Sequence, residues 1–536
     1  MQARALVAVL VAVVIMLTFQ FYISKRYPVL NKVVPKHETG SPSDSSHDSQ
    51  PAVVSNPGTD RALGFYQRQP ESDNVGSEID TGVTALRISG NHPFVLFNKS
   101  KKFNFKDDGL FISSGIGGIG SIIDHEGMTV IENGTRMIKH TDLSVTYESQ
   151  ISDYVYVEKV FEFQKGSYIA NLSVVFKNQS GQNERLVFRI VGASSLTSSE
   201  ETDGQFSSVA VKKKGSMETI RRRWSDLSKK PILDIPSGFE WAGVHNRYFS
   251  TLFKPSWSDA KLFVESAGEN QSPIIGVIDT IEIPPGGEIR REIQLYMGPM
   301  ELSELERGGF HDVLDFGMFG MISRVILSAM FWMKSWTKSY GFSIILMTGL
   351  LNVLLYPMTF KSLMSMRKIQ SVQPLVDALR EKYKDDYQKM NKELMELYRK
   401  NRINPIGGCI PMVFQMPIFI ALYQALSKSV ELWGTSFLAI SDLSRPDHLV
   451  NLPFVAPLIG SSINVLPVVM CAVMFIQQKT MSTVSSDQTK QMMLIFPLMF
   501  LFICYKMPSG LIIYWITHTL ITASMQLFVT KRMGLS

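Results

Sequence analysis

Five uncharged runs between residues 341 and 530, each near the length of a bilayer core, constrain this chain more than any other feature. They are Gly341–Phe360, Gly408–Ser427, part of Leu449–Gln478, Gln491–Tyr505 and Met507–Thr530, and a sixth run, Ala5–Ser24, stands near the N-terminus. A segment crossing hydrocarbon needs about 20 apolar residues, and a helix is the local structure that satisfies its own backbone there. The run at Gln491–Tyr505 is short, and Lys506 with Pro508 separates it from the next one as a tight turn does. Hydrophobic residues make 45% of the chain and charged residues 19%, which excludes a disordered chain and sits badly with a wholly soluble one. The net charge of +6 is too small for a dedicated nucleic-acid binder unless it is clustered. Cys409, Cys471 and Cys504 all fall in apolar runs, so neither a disulfide framework nor a zinc site is expected. Ala5–Ser24 lacks a small-x-small cleavage site before Lys25 and Arg26, and residues 1–27 read as an uncleaved signal anchor.

Charge between the runs sets the orientation. Eleven Lys and Arg residues, against six acidic ones, lie between Gly341–Phe360 and Gly408–Ser427, whereas between Gly408–Ser427 and the 449–478 run there are two, Lys428 at the edge of the apolar run and Arg445. Lys479 and Lys490 bracket the following loop, and Lys531 and Arg532 close the last run. This alternation places the basic loop and both termini in the cytoplasm. Lys25 and Arg26, outweighing Arg4, argue the opposite for the first span. The later loops carry more charge and agree with each other.

On the far side, residues 28–80 are rich in Ser, Pro, Asp and Gly and read as a flexible tether. From 81 to 312 short alternating runs follow, among them Ser144–Glu148, Tyr154–Phe163, Tyr168–Phe176, Arg185–Val191, Lys261–Glu265, Ile274–Ile283 and Glu288–Tyr296. Period-2 alternation at this spacing predicts a large antiparallel β-sandwich. Glu158 and Glu162 fall on the polar side of one strand and read as a solvated face, not as a catalytic pair.

Two further segments are amphipathic. Residues 313–340 carry Leu314, Met318, Met321, Val325, Met330, Trp332 and Trp336 among few charges, which suits a helix in the headgroup plane and equally a buried connector. In the basic loop, 361–405, Ile369, Val372, Val376, Leu379 and Tyr383 are spaced 3-4-3-4, and Tyr387, Met390, Leu394 and Leu397 continue after Lys384-Asp385-Asp386. Two helices turning there would zip into a hairpin with Lys and Arg outside. Pro374 either interrupts the first helix or opens it. The excess of basic charge suits anionic headgroups or ribosomal RNA, although membrane orientation alone also accounts for most of it.

Four blocks then carry a family resemblance: Leu355–Thr359 (LYPMT), Asn404–Pro411 (NPIGGCIP), Gln415–Tyr423 (QMPIFIALY) and Met507–Trp515 (MPSGLIIYW). In combination they resemble the YidC family of membrane protein insertases over about residues 313–532. The order of anchor, tether, sandwich, interfacial helix and core resembles the Gram-negative bacterial form. The outer domain matches more loosely, through Trp241–Phe253 and Leu295–Pro299. The resemblance implies a polytopic α-helical protein of six transmembrane helices, five of them (341–532) forming the insertase core, with a large periplasmic β-sandwich, a cytoplasmic helical hairpin and a short tail, 533–536. It implies an insertase and chaperone, not an enzyme, needing no cofactor. Its partners would be nascent membrane proteins, the Sec translocon, membrane lipids and, weakly through the basic hairpin, the ribosome. A polytopic transporter or channel with a solute-binding outer domain is the rival reading, but no internal repeat relates the spans.

In that family an arginine near the middle of the second span is expected to attract acidic client tails, and Asn352 stands in its place. Counted at 1.5 Å per residue, Asn352 and His518 both lie roughly 15 Å deep. Ionisable groups at that depth are functional candidates. Thr348, Asn352, Gln415, Thr517 and His518 are therefore expected to line a polar groove, with His518 supplying positive character. Met416, Phe419, Tyr514 and Trp515 match positions of client contact.

Overall fold

The computed structural model describes residues 75–89, 96–100, 110–112, 119–124, 130–194, 206–216, 218–227, 238–265, 273–384, 386–404, 410–456, 460–481 and 487–532. The first span, nearly all of the tether, Pro405–Cys409 and residues 533–536 lie outside the described residues. The chain divides into two units at Leu314 and Asp315.

The first unit is antiparallel β-structure. Its largest sheet has nine strands, in the order Thr219–Arg223, Ser208–Lys213, Phe239–His245, Phe249–Pro255, Glu288–Pro299, Ile169–Asn178, Val155–Phe163, Ser144–Ser152 and Asn133–Thr141. A four-stranded sheet runs Lys261–Glu265, Ile274–Ile283, Glu184–Ala193, Ile122–Asp124. The seven alternating runs read from the sequence all lie on strands of these two sheets. In Val155–Phe163 the odd positions Val155, Val157, Phe161 and Phe163 are buried, as pleating at period 2 requires. Across the sandwich the rings of Phe176 and Phe188 stand 4.6 Å apart. Gly192 lets the two sheets close, because a Cβ there would sit 2.4 Å from the ring of Phe253.

One inward position breaks the apolar pattern. Lys159, fully buried, forms an ion pair with the equally buried Glu132. Glu132 also accepts from the amide of Ile122 at 2.9 Å and the hydroxyl of Ser149 at 2.8 Å. Burial holds the ammonium below its ordinary value, and Glu132 opposes that shift. On the opposite face Glu158 is not simply solvated. It lies 2.5 Å from Lys177 on the adjacent strand and, with that hydrogen bond as the main cause, raises the lysine's pKa.

The second unit is helical. Short 3-10 turns precede α1, Gly320–Thr337, which ends at Lys338 with φ 56°. Ser323, Ile326, Leu327, Met330 and Met333 form its buried stripe, while Met321, Val325, Trp332 and Trp336 face outward. Ser323 donates 2.9 Å to the carbonyl of Ala421. The stripe of an ordinary packed helix and an outward apolar face are thus both present.

The five runs between 341 and 530 appear as α2, Tyr340–Ser371; α5, Ile410–Lys428; α6, Val465–Met481; α7, Asp487–Cys504; and α8, Ser509–Arg532. Between α2 and α5 come α3, Gln373–Lys382, and α4, Tyr387–Lys400. Among the described residues two helices, Tyr340–Ser371 and Ser509–Phe528, are long and apolar enough to cross a membrane, and Val465–Gln478 and Ile495–Cys504 are shorter apolar stretches. The first part of the 449–478 run is occupied by two paired strands, Val450–Ala456 and Gly460–Ile463, which shortens the helix that follows.

The basic segment corrects the sequence reading in one respect. Lys361 was expected to open a separate structure, but α2 continues past it to Ser371, since a helix ends where its backbone bonds end and not where hydrocarbon does. Pro374 occupies the first turn of α3, where its missing N–H costs nothing. Asp386 caps α4 by accepting from the amide of Lys389 at 2.9 Å. Val372, Val376, Met390, Leu394, Tyr398 and Ile403 form one buried cluster, with Ile369, Leu379, Tyr383 and Leu397 packed against it.

Candidate functional site

The candidate residues lie on α2, α5 and α8, and α7 contributes a face that sequence reading had not included. On α2, Thr348 Oγ1 donates to the carbonyl of Ile344 at 2.7 Å, and Asn352 Nδ2 donates to the carbonyl of Thr348 at 2.8 Å. Both are buried. Returning a side-chain donor to the carbonyl one turn back is how a polar residue survives in a helix with apolar surroundings.

The other candidates converge. Gln415 of α5 donates through Nε2 to the phenolic oxygen of Tyr514 on α8, which is buried. Phe419, one turn along α5 from Gln415, meets Trp515, the residue after Tyr514, edge-on at 5.2 Å. His518 lies one turn further along α8, stacked on Tyr514 at 6.0 Å with an interplanar angle of 15° and edge-on to Trp515 at 6.5 Å. Spacing of three and four residues puts 514, 515 and 518 on one helix face, which is why the motif works as a unit. Thr517 is part-buried beside them, and Met416 is 49% exposed. No hydrogen bond joins Thr348 or Asn352 to this cluster among the described residues.

Phe496 and Phe500 of α7 complete it. Phe500 lies 4.5 Å from Trp515 and 6.4 Å from Phe419, and Phe496 lies 5.7 Å from Phe500. Their signal in the sequence is an i, i+4 aromatic pair inside an apolar run, which alone does not distinguish a packed face from a lipid-facing one.

A network of polar contacts closes the end of the bundle that carries Arg445. Asp447 Oδ2 accepts from the amides of Val465 and Leu466 at 2.6 and 3.0 Å, capping α6. Asn464 Nδ2 donates 2.7 Å to the carbonyl of Tyr505 and its Oδ1 accepts from the amide of His448 at 3.1 Å. The amide and hydroxyl of Ser509, at the start of α8, both donate to the carbonyl of Arg445, at 2.8 and 2.6 Å. Nearby, Phe437 covers Gly341 so closely that a Cβ there would lie 2.1 Å from the ring. Separating these segments would break those hydrogen bonds.

Fold and site together define a class: a membrane-embedded helical bundle with an apolar outer surface and a few convergent polar and aromatic side chains, fused to a large antiparallel β-domain. Two family models divide most of the chain between them, the "YidC periplasmic domain" over residues 86–333 and the "60Kd inner membrane protein" over residues 332–535. A membrane protein insertase YidC of Pelobacter propionicus is 34% identical over 70% of this chain and 69% of its own. One from Pelodictyon phaeoclathratiforme is 27% identical over 97% of this chain and 93% of its own. The crystal structure of an active YidC insertase with its first transmembrane domain resolved covers 84% of this chain and 93% of that one, at 18% identity and a TM-score of 0.38. The chain belongs to the YidC family of membrane protein insertases.

Proposed function

We infer that this chain is a membrane protein insertase of the bacterial inner membrane, the activity for which its relatives are named. The transporter reading gains nothing from those relatives. We propose six spans, Ala5–Ser24 followed by α2, α5, α6, α7 and α8, with both termini and the α3–α4 hairpin in the cytoplasm and the β-unit in the periplasm. Positive charge on the α3–α4 segment and its near absence around Arg445 support this orientation.

Insertion needs no covalent step. A client's polar tail loses several kcal/mol for each backbone group left unsatisfied in hydrocarbon, and a wet recess reaching half way across shortens that barrier. Gln415, Thr517 and His518, part-buried and polar among apolar helices, support such a recess, to which Thr348 and Asn352 add donors that can turn from α2's own carbonyls to a client. The bonded network at the Arg445 end supports closure toward the periplasm. The client's apolar segment gains free energy by burial against Met416, Phe419, Tyr514 and Trp515 as it moves into lipid.

The observation that carries this reading is the convergence of Gln415, Tyr514, Trp515 and His518 on one helix contact within a bundle whose outside is apolar. Depletion of the protein should leave small membrane proteins uninserted with solute uptake normal; uptake failing first would favour transport. Site-directed crosslinking from position 515 to a stalled nascent chain should trap the client. Insertion of an acidic-tailed client unchanged in both H518A and H518R would remove His518 from the path. Cooperation with the Sec translocon and a weak ribosome contact through α3 and α4 belong to the same proposal.

A further inference from the structure

The two strands Ser208–Lys213 and Thr219–Arg223 form a hairpin at one edge of the nine-stranded sheet. Six cations crowd residues 212–223: Lys212, Lys213, Lys214, Arg221, Arg222 and Arg223. Strand alternation sorts them. Arg221 pairs with Ala210 and Lys212 with Thr219, so Lys212, Arg221 and Arg223 share one face. That face is committed internally. Lys212 Nζ lies 2.6 Å from Asp312 Oδ2, Arg221 donates to the carbonyl oxygen of Asp312, and Arg223 Nε lies 3.1 Å from Asp226 Oδ2.

Lys213 and Arg222 stand on the other face, and Lys214 on the turn. Among the described residues the acid paired here is Glu218, 3.5 Å from Lys213, with 41% and 66% of the two side chains exposed. An ion pair so exposed holds little, and leaves the charge free to act outward. Protecting a sheet edge from pairing with another chain explains a cation or two along the strand. It does not explain a lysine on the turn, or a hairpin fastened by one face to Asp312.

Asp312 stands eight residues before Gly320, where α1 begins with its outward Met321, Val325, Trp332 and Trp336. Eight residues span at most about 29 Å of chain. We propose that Lys213, Lys214 and Arg222 dock this hairpin on anionic phospholipid headgroups at the periplasmic surface of the membrane, so that the β-unit is held by charge as well as by chain. The proposal rests on α1 lying at that surface.

The test uses the full chain in nanodiscs of phosphatidylcholine alone or mixed with phosphatidylglycerol, with amide hydrogen exchange read over 219–223. Exchange should slow at least about fivefold in the anionic discs, and high salt should abolish the difference. K213E/K214E/R222E should abolish it at low salt, and K213R/K214R should keep it. Equal exchange in both discs overturns the proposal, as does slowing that survives salt and charge reversal, which would mark a protein contact. Quenching by brominated lipid, compared between the parent and W332F/W336F, reports the seating of α1 separately. Quenching of Trp332 and Trp336 with a lipid-insensitive hairpin removes the docking alone; no quenching removes the reading on which it rests.

Discussion

The two units use the same apolar side chains against opposite surroundings. Among the described residues the β-unit leaves three large apolar side chains exposed, Ile138, Tyr154 and Val187, whereas the helical unit leaves thirty, beginning at Met318 and ending at Phe528. The β-unit keeps Trp241, Phe161, Phe176 and Phe253 fully inside, where its buried charges Lys159 and Glu132 are paired with each other. The helical unit does the reverse at its outside, and reserves Gln415, Tyr514 and His518 for its interior. Soluble monomers rarely expose contiguous apolar patches larger than a few hundred Å². Burial alone therefore does not define a core: the solvent each face meets does.

That contrast can be broken deliberately, beginning where the effect is largest. Glu132→Ala in the β-unit leaves Lys159 as an uncompensated charge in a dry interior, and should cost about 3–5 kcal/mol in denaturant unfolding of that unit. Replacing both, as E132L/K159M, should recover most of the loss, because an apolar pair suits that interior. In the helical unit the equivalent error lies outside. Val353→Asp, at a position 68% exposed on α2, should cost about 2.5–3.5 kcal/mol and lower the amount of protein in the membrane. Ile138→Asp, at 48% exposure on the β-unit, should stay within about 0.5 kcal/mol. If the two aspartates cost the same, the distinction between the units fails.

Gly341→Ala should cost about 1–3 kcal/mol in thermal unfolding by forcing a methyl group into the ring of Phe437. Phe437→Ala in the same chain should relieve that part. The smallest effect is in the α3–α4 segment, which the proposed orientation puts in water. Burial raises the pKa of Tyr398, with Arg380 opposing the shift. The unfolded segment then loses its phenolic proton at lower pH than the folded one, so stability is full below the ordinary tyrosine value and falls as pH rises through it toward the raised value. Tyr398→Phe should remove this alkaline loss in limited proteolysis of the α3–α4 segment.

Much of this was legible in residue order. Alternation found Val155–Phe163 and its neighbours because one face of each strand is covered and the other is wet. It passed over Phe239–His245, whose FEWAGVH carries apolar groups on both faces and so has no period to detect. The spacing of Val372, Val376, Met390 and Leu394 predicted their shared cluster, since helix periodicity is local. The partnership of Lys159 with Glu132 was invisible, being fixed by strand pairing across 27 residues and not by pattern. In the site, the MPSGLIIYW block marked Tyr514 and Trp515, while Phe496 and Phe500 became visible only once α7 was packed beside α8. Sequence spacing led to the expectation of a common depth for Asn352 and His518, but could not show their partners: one bonds its own helix, the other stacks on Tyr514.

The most direct test asks from which side water reaches the bundle. Cysteine placed at position 352 or 517, in a chain with Cys409, Cys471 and Cys504 replaced by serine, would be treated with a membrane-impermeant maleimide in sealed vesicles of each orientation. The account predicts labelling from the cytoplasmic side only. Labelling from the periplasmic side, or from neither, would contradict it.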